Sequence, residues 1–363
     1  MRDYDVTLVE DIRARQRSER VFGMDVAVRP VPDAEPHSYD PRMLPIARRN
    51  LAASSGQPRG KLSLLAMRSH KGADLRDLSN GSFDFDERLI EVGGTHFIGV
   101  YVLRPERACE GCPVMVYLHG GNFNAGDIET YMGRMRLIAE RSASVVVFPA
   151  YRLAPECPFP GPVEDCHAAV EWAWAHAGDY GADPARLMVA GDSAGGSLAC
   201  ACAQLDLAGR IQRLALVYPA VDCGDWRTQA NYTWSWDAYQ VSEGQRDLMV
   251  AAINSLKDLF DLEVEGRMNL YMQRNGSLRD PLMSACFASD AVLSRFPPTL
   301  MVTAEYDFMR VAGEWFASKL ASLGVSSACV RYEGVEHGFS GMLGILPQAE
   351  DLCDLLAGEL CVL

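Results

Sequence analysis

The sequence predicts an α/β fold in which helices cover both faces of a mostly parallel sheet. Six short apolar runs lack the polar–apolar alternation of half-exposed strands, and helix-like stretches separate them. The chain has 363 residues, and 48% of them are hydrophobic. That is enough for one large domain with an accessory part, or for two modest domains, and it excludes a disordered chain.

The predicted sheet begins with a hairpin. Two strand-like runs, at 83–90 and 95–102, flank Gly93 and Gly94, and paired glycines between such runs are typical of a tight turn. The later strand candidates are 114–118, 145–148, 187–190, 214–218, 299–303 and 328–332. The helix-like stretches between them are 131–141, 162–177, 195–208 and 312–323.

Two segments fall outside this alternation. Residues 1–82 are irregular, with a proline-rich stretch and then a helix-like segment at 42–53 that has no strand pattern near it, and we interpret them as an accessory N-terminal segment. Residues 222–285 are inserted after a strand end, where a lid or cap is commonly placed. The insertion contains NYTWSWDAYQ, so Trp234 and Trp236 are expected either to line a pocket or to pack the insertion onto the core.

The charge and the cysteines limit the functional classes. The 34 Lys and Arg residues against 48 Asp and Glu residues give a net charge of −14, which disfavours nucleic acid and anionic membranes as partners. No signal peptide or membrane span is recognisable, so a cytoplasmic protein is expected.

The eleven cysteines are expected to be mostly reduced and buried. Cys109 and Cys112 have CxxC spacing but no matching second pair, so we predict neither a metal nor a cofactor.

The strongest chemical signal is GDSAG at 191–195. It follows the strand candidate 187–190 and opens a helix-like stretch, which is the strand–turn–helix setting of a catalytic serine. The flanking glycines permit a tight turn that lifts the hydroxyl of Ser193 above the sheet edge. We therefore predict Ser193 as the nucleophile.

A serine hydroxyl requires a base, and a neutral histidine can accept its proton near neutral pH. His337 lies in the loop GVEHGF directly after the last strand candidate. Asp307 follows the strand candidate 299–303 and is predicted to orient this histidine, with Glu305 as its rival. Of the two carboxylates, Glu305 is expected to orient the loop.

Five stretches form a pattern across the chain, namely HGG (119–121), YRLAPE (151–156), FPGPVED (159–165), GDSAGG (191–196) and EHGF (336–339). Together they resemble the hormone-sensitive-lipase-like branch of the α/β-hydrolases, whose chain order of serine, acid and histidine is also found here. The resemblance spans residues 83–340, with the stretches in the family's order. The sequence departs from the family pattern at Asn122, where a third glycine is usual, and at Phe308, where proline is usual.

The resemblance implies a carboxylic-ester hydrolase with an eight-stranded sheet and a helical cap built from residues 1–82 and 222–285. It implies short- to medium-chain acyl esters as substrates. An amidase or peptidase would use the same residues, and a ligand-binding protein on an inactive hydrolase fold is a further alternative. Oligomeric state is left open, and a homo-oligomer is compatible with the sequence.

The stretch HGGNF (119–123) is then expected to supply backbone donors for the oxyanion. The predicted donors are the N–H groups of Gly120, Gly121 and Ala194. Asparagine tolerates a left-handed backbone better than other non-glycine residues, so Asn122 is expected to keep the geometry of a third glycine. Its side chain is expected near the pocket mouth. His119 is expected to support the loop rather than act as a base.

Overall fold

The structure, a computed structural model, describes residues 1–56, 64–69, 75–227, 229–260 and 277–363. Its ten strands are β1 (Arg17–Val21), β2 (Met24–Arg29), β3 (Phe83–Val92), β4 (His96–Pro105), β5 (Cys112–Leu118), β6 (Val145–Ala150), β7 (Ala182–Asp192), β8 (Arg213–Val217), β9 (Thr299–Tyr306) and β10 (Ser327–Glu336). Its α-helices are α1 (Thr7–Ala14), α2 (Leu44–Gly56), α3 (Leu64–Met67), α4 (Ile128–Ser142), α5 (Gly161–His176), α6 (Ala194–Leu205), α7 (Arg246–Lys257), α8 (Asp290–Leu293), α9 (Arg310–Ser322) and α10 (Pro347–Cys361).

The strands form one sheet in the order β1-β2-β10-β9-β8-β7-β5-β6-β4-β3. Pairing is parallel from β2 through β10, β9, β8, β7 and β5 to β6, and antiparallel at both ends of the sheet. Every residue of β5 and of β9 is buried, as expected where helices cover both faces of a parallel sheet. The predicted α/β fold is confirmed, and each predicted strand and helix between residues 83 and 332 has its counterpart.

The sheet has two more strands than the eight that the resemblance implies, and both come from the N-terminal segment. The description of residues 1–82 as irregular was wrong for residues 17–29, because β1 and β2 form an antiparallel hairpin whose strand β2 pairs in parallel with β10. The burial pattern of β2, MDVAVR, shows why it belongs to the sheet, since Met24, Val26 and Val28 are buried while Asp25 is exposed. The alternation spans only six residues, which is too short to distinguish from the irregular sequence around it.

The parallel pairing positions the loops of interest. Leu118 at the end of β5 is in register with Gly191, and Asp192 at the end of β7 is in register with Val217. Because parallel strands end at the same edge of a sheet, the loops after β5, β7, β9 and β10 emerge together. The inserted helix α7 packs against α2 of the N-terminal segment. Part of the predicted insertion, residues 261–276, lies outside the described residues.

The N-terminus is fixed to the C-terminal helix α10 through one buried carboxylate, Glu350. Arg2 donates two hydrogen bonds to it, at 2.6 and 2.8 Å, and the hydroxyl of Tyr4 donates a third at 2.7 Å. Arg141 of α4 donates another. Burial by itself raises the pKa of Glu350, but the hydrogen bonds from Arg2, Tyr4 and Arg141 outweigh it and lower that pKa to about 2. The charged carboxylate therefore joins three separate parts of the chain.

We expect Glu350→Gln to lower the free energy of unfolding by about 2 to 4 kcal/mol at pH 7, because it removes a buried charge from its donors. The depressed pKa makes this contribution complete above about pH 4.5 and lost as the pH falls towards 2. Urea denaturation of the wild-type protein and of Glu350→Gln at several pH values measures this contribution. The difference in free energy of unfolding between the two proteins should narrow as the pH falls. The matched control is Glu10→Gln at an exposed position on α1. An equal loss of free energy of unfolding in the two variants would contradict the role assigned to the Glu350 carboxylate.

Candidate active site

Ser193 lies on a strained turn between β7 and α6. Its backbone angles are φ 55° and ψ −120°, a conformation that non-glycine residues rarely adopt. Gly195 lets the turn close, because a Cβ there would lie 2.0 Å from the carbonyl oxygen of Leu118 on β5. The turn is thus fixed by its neighbours, and Ser193 is presented at the carboxyl edge of the sheet.

Three of the predicted residues meet in one hydrogen-bonded line. Nε2 of His337 lies 2.9 Å from Oγ of Ser193, and Nδ1 of the same ring lies 2.7 Å from Oδ2 of Asp307. The other oxygen of Asp307 accepts the N–H of Met309 at 2.8 Å, and the residue has no exposed surface. The structure therefore brings together side chains that are 114 and 30 residues apart along the chain.

The environment of His337 favours its protonated form. Burial by itself lowers the pKa of His337, but the negative charge of Asp307 and its hydrogen bond outweigh burial, so that this pKa lies above its ordinary value. A proton taken up by His337 is thereby stabilised. This is the electrostatic arrangement that a general base beside a serine requires.

Glu305, the rival carboxylate, points elsewhere. Its Oε2 accepts the N–H of Gly334 at 2.8 Å, and its Oε1 lies 2.7 Å from Nδ1 of His37. Gly334 has a left-handed backbone and precedes His337 by three residues. Glu305 thus supports the loop that carries His337, as the sequence predicted, and Asp307 contacts the histidine itself.

The loop after β5 requires a correction to the predicted donors. The N–H of Gly120 is already donated to Oδ1 of Asp192 at 3.0 Å and to the hydroxyl of Tyr131 at 2.9 Å. That hydroxyl in turn donates to Oδ2 of Asp192 at 2.9 Å. The expectation that Gly120 serves as an oxyanion donor was wrong, because a buried carboxylate takes up its N–H.

The adjacent backbone groups are free of such partners. Within the described ranges, the N–H groups of Gly121, Asn122 and Ala194 have no hydrogen-bond acceptor in the protein. Asn122 has φ 54°, so it adopts the left-handed backbone that the sequence predicted for it. Gly121 has φ 122°, and a Cβ there would lie 2.1 Å from the carbonyl oxygen of Ala125. The backbone donors that this loop offers to an oxyanion are therefore those of Gly121 and Asn122, one residue further along the chain than the predicted Gly120 and Gly121.

His119 lies behind this loop and not in the reactive line. It is buried, its ring stacks on that of Tyr151 at 4.2 Å, and the Tyr151 hydroxyl donates to its carbonyl oxygen at 2.7 Å. Burial lowers the pKa of His119, which keeps the ring neutral. His119 supports the loop, as expected.

A cavity of about 400 Å³ opens onto Ser193 and His337. The oxyanion loop contributes Gly121 and Asn122 to its wall, and the insertion contributes Leu256 and Leu259. The other lining residues are Ala125, Tyr131, Arg134, Asp192, Tyr218, Met309, Gly338, Ser340 and Gly341. Asn122 is therefore a pocket residue, as predicted.

Trp234 and Trp236 do not line this cavity, so the pocket role considered for them was wrong. Trp234 packs at 5.1 Å from Trp236 and at 5.4 Å from Phe308, and its indole N–H donates to the hydroxyl of Tyr239 at 2.9 Å. That hydroxyl donates to the carbonyl oxygen of Asp307 at 3.0 Å. The two tryptophans pack the insertion onto the Asp307 loop, which is the other role that the sequence allowed.

A family model described as the alpha/beta hydrolase fold matches residues 115–341, which is more than half of the chain. The chain belongs to the α/β-hydrolase family. Within it, the motifs assign the chain to the hormone-sensitive-lipase-like branch, as the sequence predicted.

Several curated relatives of this α/β-hydrolase are named esterases. The carboxylesterase NlhH of Mycobacterium tuberculosis is 30% identical over 73% of this chain and 78% of its own length. The esterase LipI of the same organism is 31% identical over 76% of this chain and 82% of its own length. Among solved structures, a hyperthermophilic esterase from the archaeon Pyrobaculum calidifontis superimposes with a TM-score of 0.72 at 29% identity, covering 90% of this chain and 98% of its own.

An ion pair joins Arg152 and Asp165 in this α/β-hydrolase. Two nitrogens of the Arg152 guanidinium and its backbone N–H bond the buried Asp165 at 2.8 to 2.9 Å. His96 contributes a further contact to the same carboxylate at 2.7 Å. The ion pair fixes the loop after β6 to helix α5.

All eleven cysteines of the α/β-hydrolase are free, and eight of them are buried, as expected. The CxxC pair is a turn, in which the N–H of Cys112 donates to the carbonyl oxygen of Cys109. No helix in the described part of the chain has the length and apolar character to span a bilayer.

Among the residues that the structure describes, one group places three ligand atoms within 4.8 Å of one another, namely His37, Glu305 and Glu333. Arg17 already donates to both carboxylate oxygens of Glu333, at 2.5 and 3.0 Å. Since that guanidinium supplies the positive charge, the group does not favour a second cation, and we assign no metal to it.

Sequence reasoning missed Asp192, Tyr131 and Arg134. Asp192 lies in GDSAG, but its carboxylate bonds a loop 72 residues away, which a local motif does not reveal. Tyr131 and Arg134 lie in a helix-like stretch without a catalytic motif. A signal was nevertheless available, because Tyr131, Arg134 and Ile138 share one face of α4 and a cation is unusual on a face that is otherwise buried.

Proposed function

We propose that the chain is a serine carboxylesterase that hydrolyses short- to medium-chain acyl esters through Ser193, His337 and Asp307. The observation that carries the proposal is the bond of 2.9 Å between Oγ of Ser193 and Nε2 of His337, with Asp307 on the opposite nitrogen of the ring. The esterase names of the curated relatives support the same reaction class.

Ser193 attacks the ester carbonyl while His337 takes its proton at Nε2. His337 then donates that proton to the departing alcohol oxygen, which leaves an acyl group on Ser193. A water molecule that His337 deprotonates next attacks the acyl-enzyme and releases the carboxylic acid, and Ser193 regains its proton. Asp307 accepts the hydrogen bond from Nδ1 of His337 throughout, which fixes the tautomer and stabilises the imidazolium.

The negative charge that forms on the carbonyl oxygen is stabilised by the N–H groups of Gly121, Asn122 and Ala194. These donors have no acceptor among the described residues, so their hydrogen bonds are available to the transition state. Asp192 supports the arrangement from behind by binding the N–H of Gly120. The loop is thereby rigid before substrate arrives.

The cap is formed by the part of the N-terminal segment that carries α2 together with the insertion 222–285. The contact of α7 with α2 and the presence of Leu256 and Leu259 in the cavity wall support this assignment. A cavity of about 400 Å³ is near the lower end of the roughly 300–1,000 Å³ that small-molecule sites occupy. The size of the cavity favours short and medium acyl chains.

We expect Ser193→Ala to lower kcat for 4-nitrophenyl acetate by at least about 10³, because the nucleophile is lost while the fold is retained. Release of 4-nitrophenolate measures it, and the matched control is Ser294→Ala at an exposed serine. Unchanged hydrolysis by Ser193→Ala would refute the assignment. Comparable turnover of 4-nitroacetanilide would instead identify an amidase on the same residues.

The size of the cavity predicts a chain-length profile. For 4-nitrophenyl esters from acetate to palmitate, kcat/KM should be highest at short and medium chains and at least about tenfold lower at palmitate, because the long chain exceeds the volume of the cavity. Initial rates below the micellar concentration of each ester measure the profile. A maximum at palmitate would show that the cavity extends beyond the described lining.

Asn122→Gly should keep kcat within about tenfold of the original, or about 1.4 kcal/mol of barrier, because glycine retains both the left-handed backbone and the N–H. Gly121→Ala is the contrasting variant, since its Cβ forces the loop away from Ala125, and we expect a loss of roughly 100-fold or more. Steady-state rates on 4-nitrophenyl acetate compare the two. If Asn122→Gly were as damaging as Gly121→Ala, the asparagine side chain itself would be a donor.

A further inference from the structure

Four arginines of the described chain are buried, and three of them pair with a carboxylate. Arg29 pairs with Asp351, and both Arg310 and Arg331 pair with Glu314. This follows the general rule that a charge removed from water is paired. Arg134 is the exception, because no carboxylate among the described residues lies within ion-pair distance of its guanidinium.

The few contacts of Arg134 leave most of its donors unused. Its side chain donates one hydrogen bond of 2.5 Å to Oγ of Ser340, and its guanidinium carbon lies 3.9 Å from the centre of the Tyr131 ring. A guanidinium has five N–H donors, and no other acceptor is found for those of Arg134 in the described ranges.

Asp192 is the carboxylate whose charge acts on Arg134, but it is not its partner. The oxygens of Asp192 accept the N–H of Gly120 and the hydroxyls of Tyr117 and Tyr131. Its negative charge favours the protonated guanidinium across the intervening space. The N–H donors of Arg134 remain available to another acceptor.

Arg134 is placed beside the reactive centre. Arg134 lines the same cavity as Ser193 and His337. Ser340, its hydrogen-bond partner, also bonds the hydroxyl of Tyr218 at 2.5 Å, and the Tyr218 ring lies 4.7 Å from that of His337. The guanidinium of Arg134 is thus connected to His337 through Ser340 and Tyr218, which lie next to each other in the cavity wall.

We propose that Arg134 binds a carboxylate of the substrate, so that the preferred substrates are esters that carry a free carboxylate elsewhere in the molecule. The proposal rests on the esterase function proposed above. A planar guanidinium fork matches the two oxygens of a carboxylate, and the buried position strengthens the pairing. Such esters are monoesters of dicarboxylic acids or esters of hydroxylated acids, depending on which side of the ester the carboxylate occupies.

Two matched pairs of substrates test the proposal. They also show whether the recognised carboxylate lies on the acyl side or on the alcohol side of the ester. On the acyl side, 4-nitrophenyl hydrogen adipate is compared with 4-nitrophenyl hexanoate after subtraction of spontaneous hydrolysis. On the alcohol side, 4-acetoxybenzoate is compared with 4-acetoxybenzamide. We expect the wild-type protein to prefer the carboxylated member of at least one pair by about tenfold or more in kcat/KM.

Arg134→Gln should lower kcat/KM for that carboxylated ester about 10- to 100-fold, mainly through KM, and leave its neutral counterpart within about threefold. Arg134→Lys should recover part of the preference, since it keeps the charge without the fork. The matched control is Arg136→Gln, two residues further along α4, because Arg136 pairs with Asp77 and does not line the cavity. Circular dichroism and Tm establish that each variant is folded.

If Arg134→Gln lowered kcat/KM equally for the charged and the neutral esters, the proposal would be overturned and Arg134 would have a structural role beside Asp192. The proposal would also be overturned if the wild-type protein preferred the neutral member of both substrate pairs. This comparison uses the wild-type protein alone, so it does not depend on the folding of a variant. In either case hydrolysis of the neutral esters leaves the esterase proposal standing. Absence of hydrolysis of every ester would instead refute the esterase function itself.

Discussion

The parallel pairing of β7, β9 and β10 is the constraint on which the site depends. Ser193, Asp307 and His337 each follow the carboxyl end of one of these strands, and parallel strands end at a common edge. Two hydrogen bonds of 2.7 and 2.9 Å then connect three loops that the sequence separates widely. A shift of one residue in the register of any of these strands would turn its buried side chains to the other face and move its loop away from the others.

Asp192 gives this edge its rigidity. It precedes Ser193 on the strained turn, and its buried carboxylate bonds Gly120 directly and again through Tyr131. One side chain therefore links the position of the nucleophile to the position of the oxyanion loop. The same carboxylate compensates at a distance the charge of Arg134, which leaves the guanidinium in the cavity without a direct partner among the described residues.

The N-terminal segment has three structural roles. Its hairpin extends the sheet beyond β10, and its first residues bond Glu350 on α10. It also reaches the back of the site, where His37 contacts Glu305 and so adjoins the loop of His337. The segment that the sequence suggested was accessory therefore contributes to the core of the fold and supports the loop that carries the base.

The sequence by itself determined the α/β alternation, the turn of Ser193, the order of serine, aspartate and histidine, and the left-handed backbone of Asn122. These properties are local: a run of buried residues, a glycine pattern and a tolerance for positive φ are all written in neighbouring residues. Only the tertiary structure decided that β2 adds to β10, that Gly120 bonds Asp192, and that the tryptophans pack behind Asp307. It also decided which buried arginine has no carboxylate partner within the described ranges. Each of these depends on which donors and acceptors meet across distant parts of the chain, and hydrogen bonds and charges between such parts leave no periodic trace in the sequence.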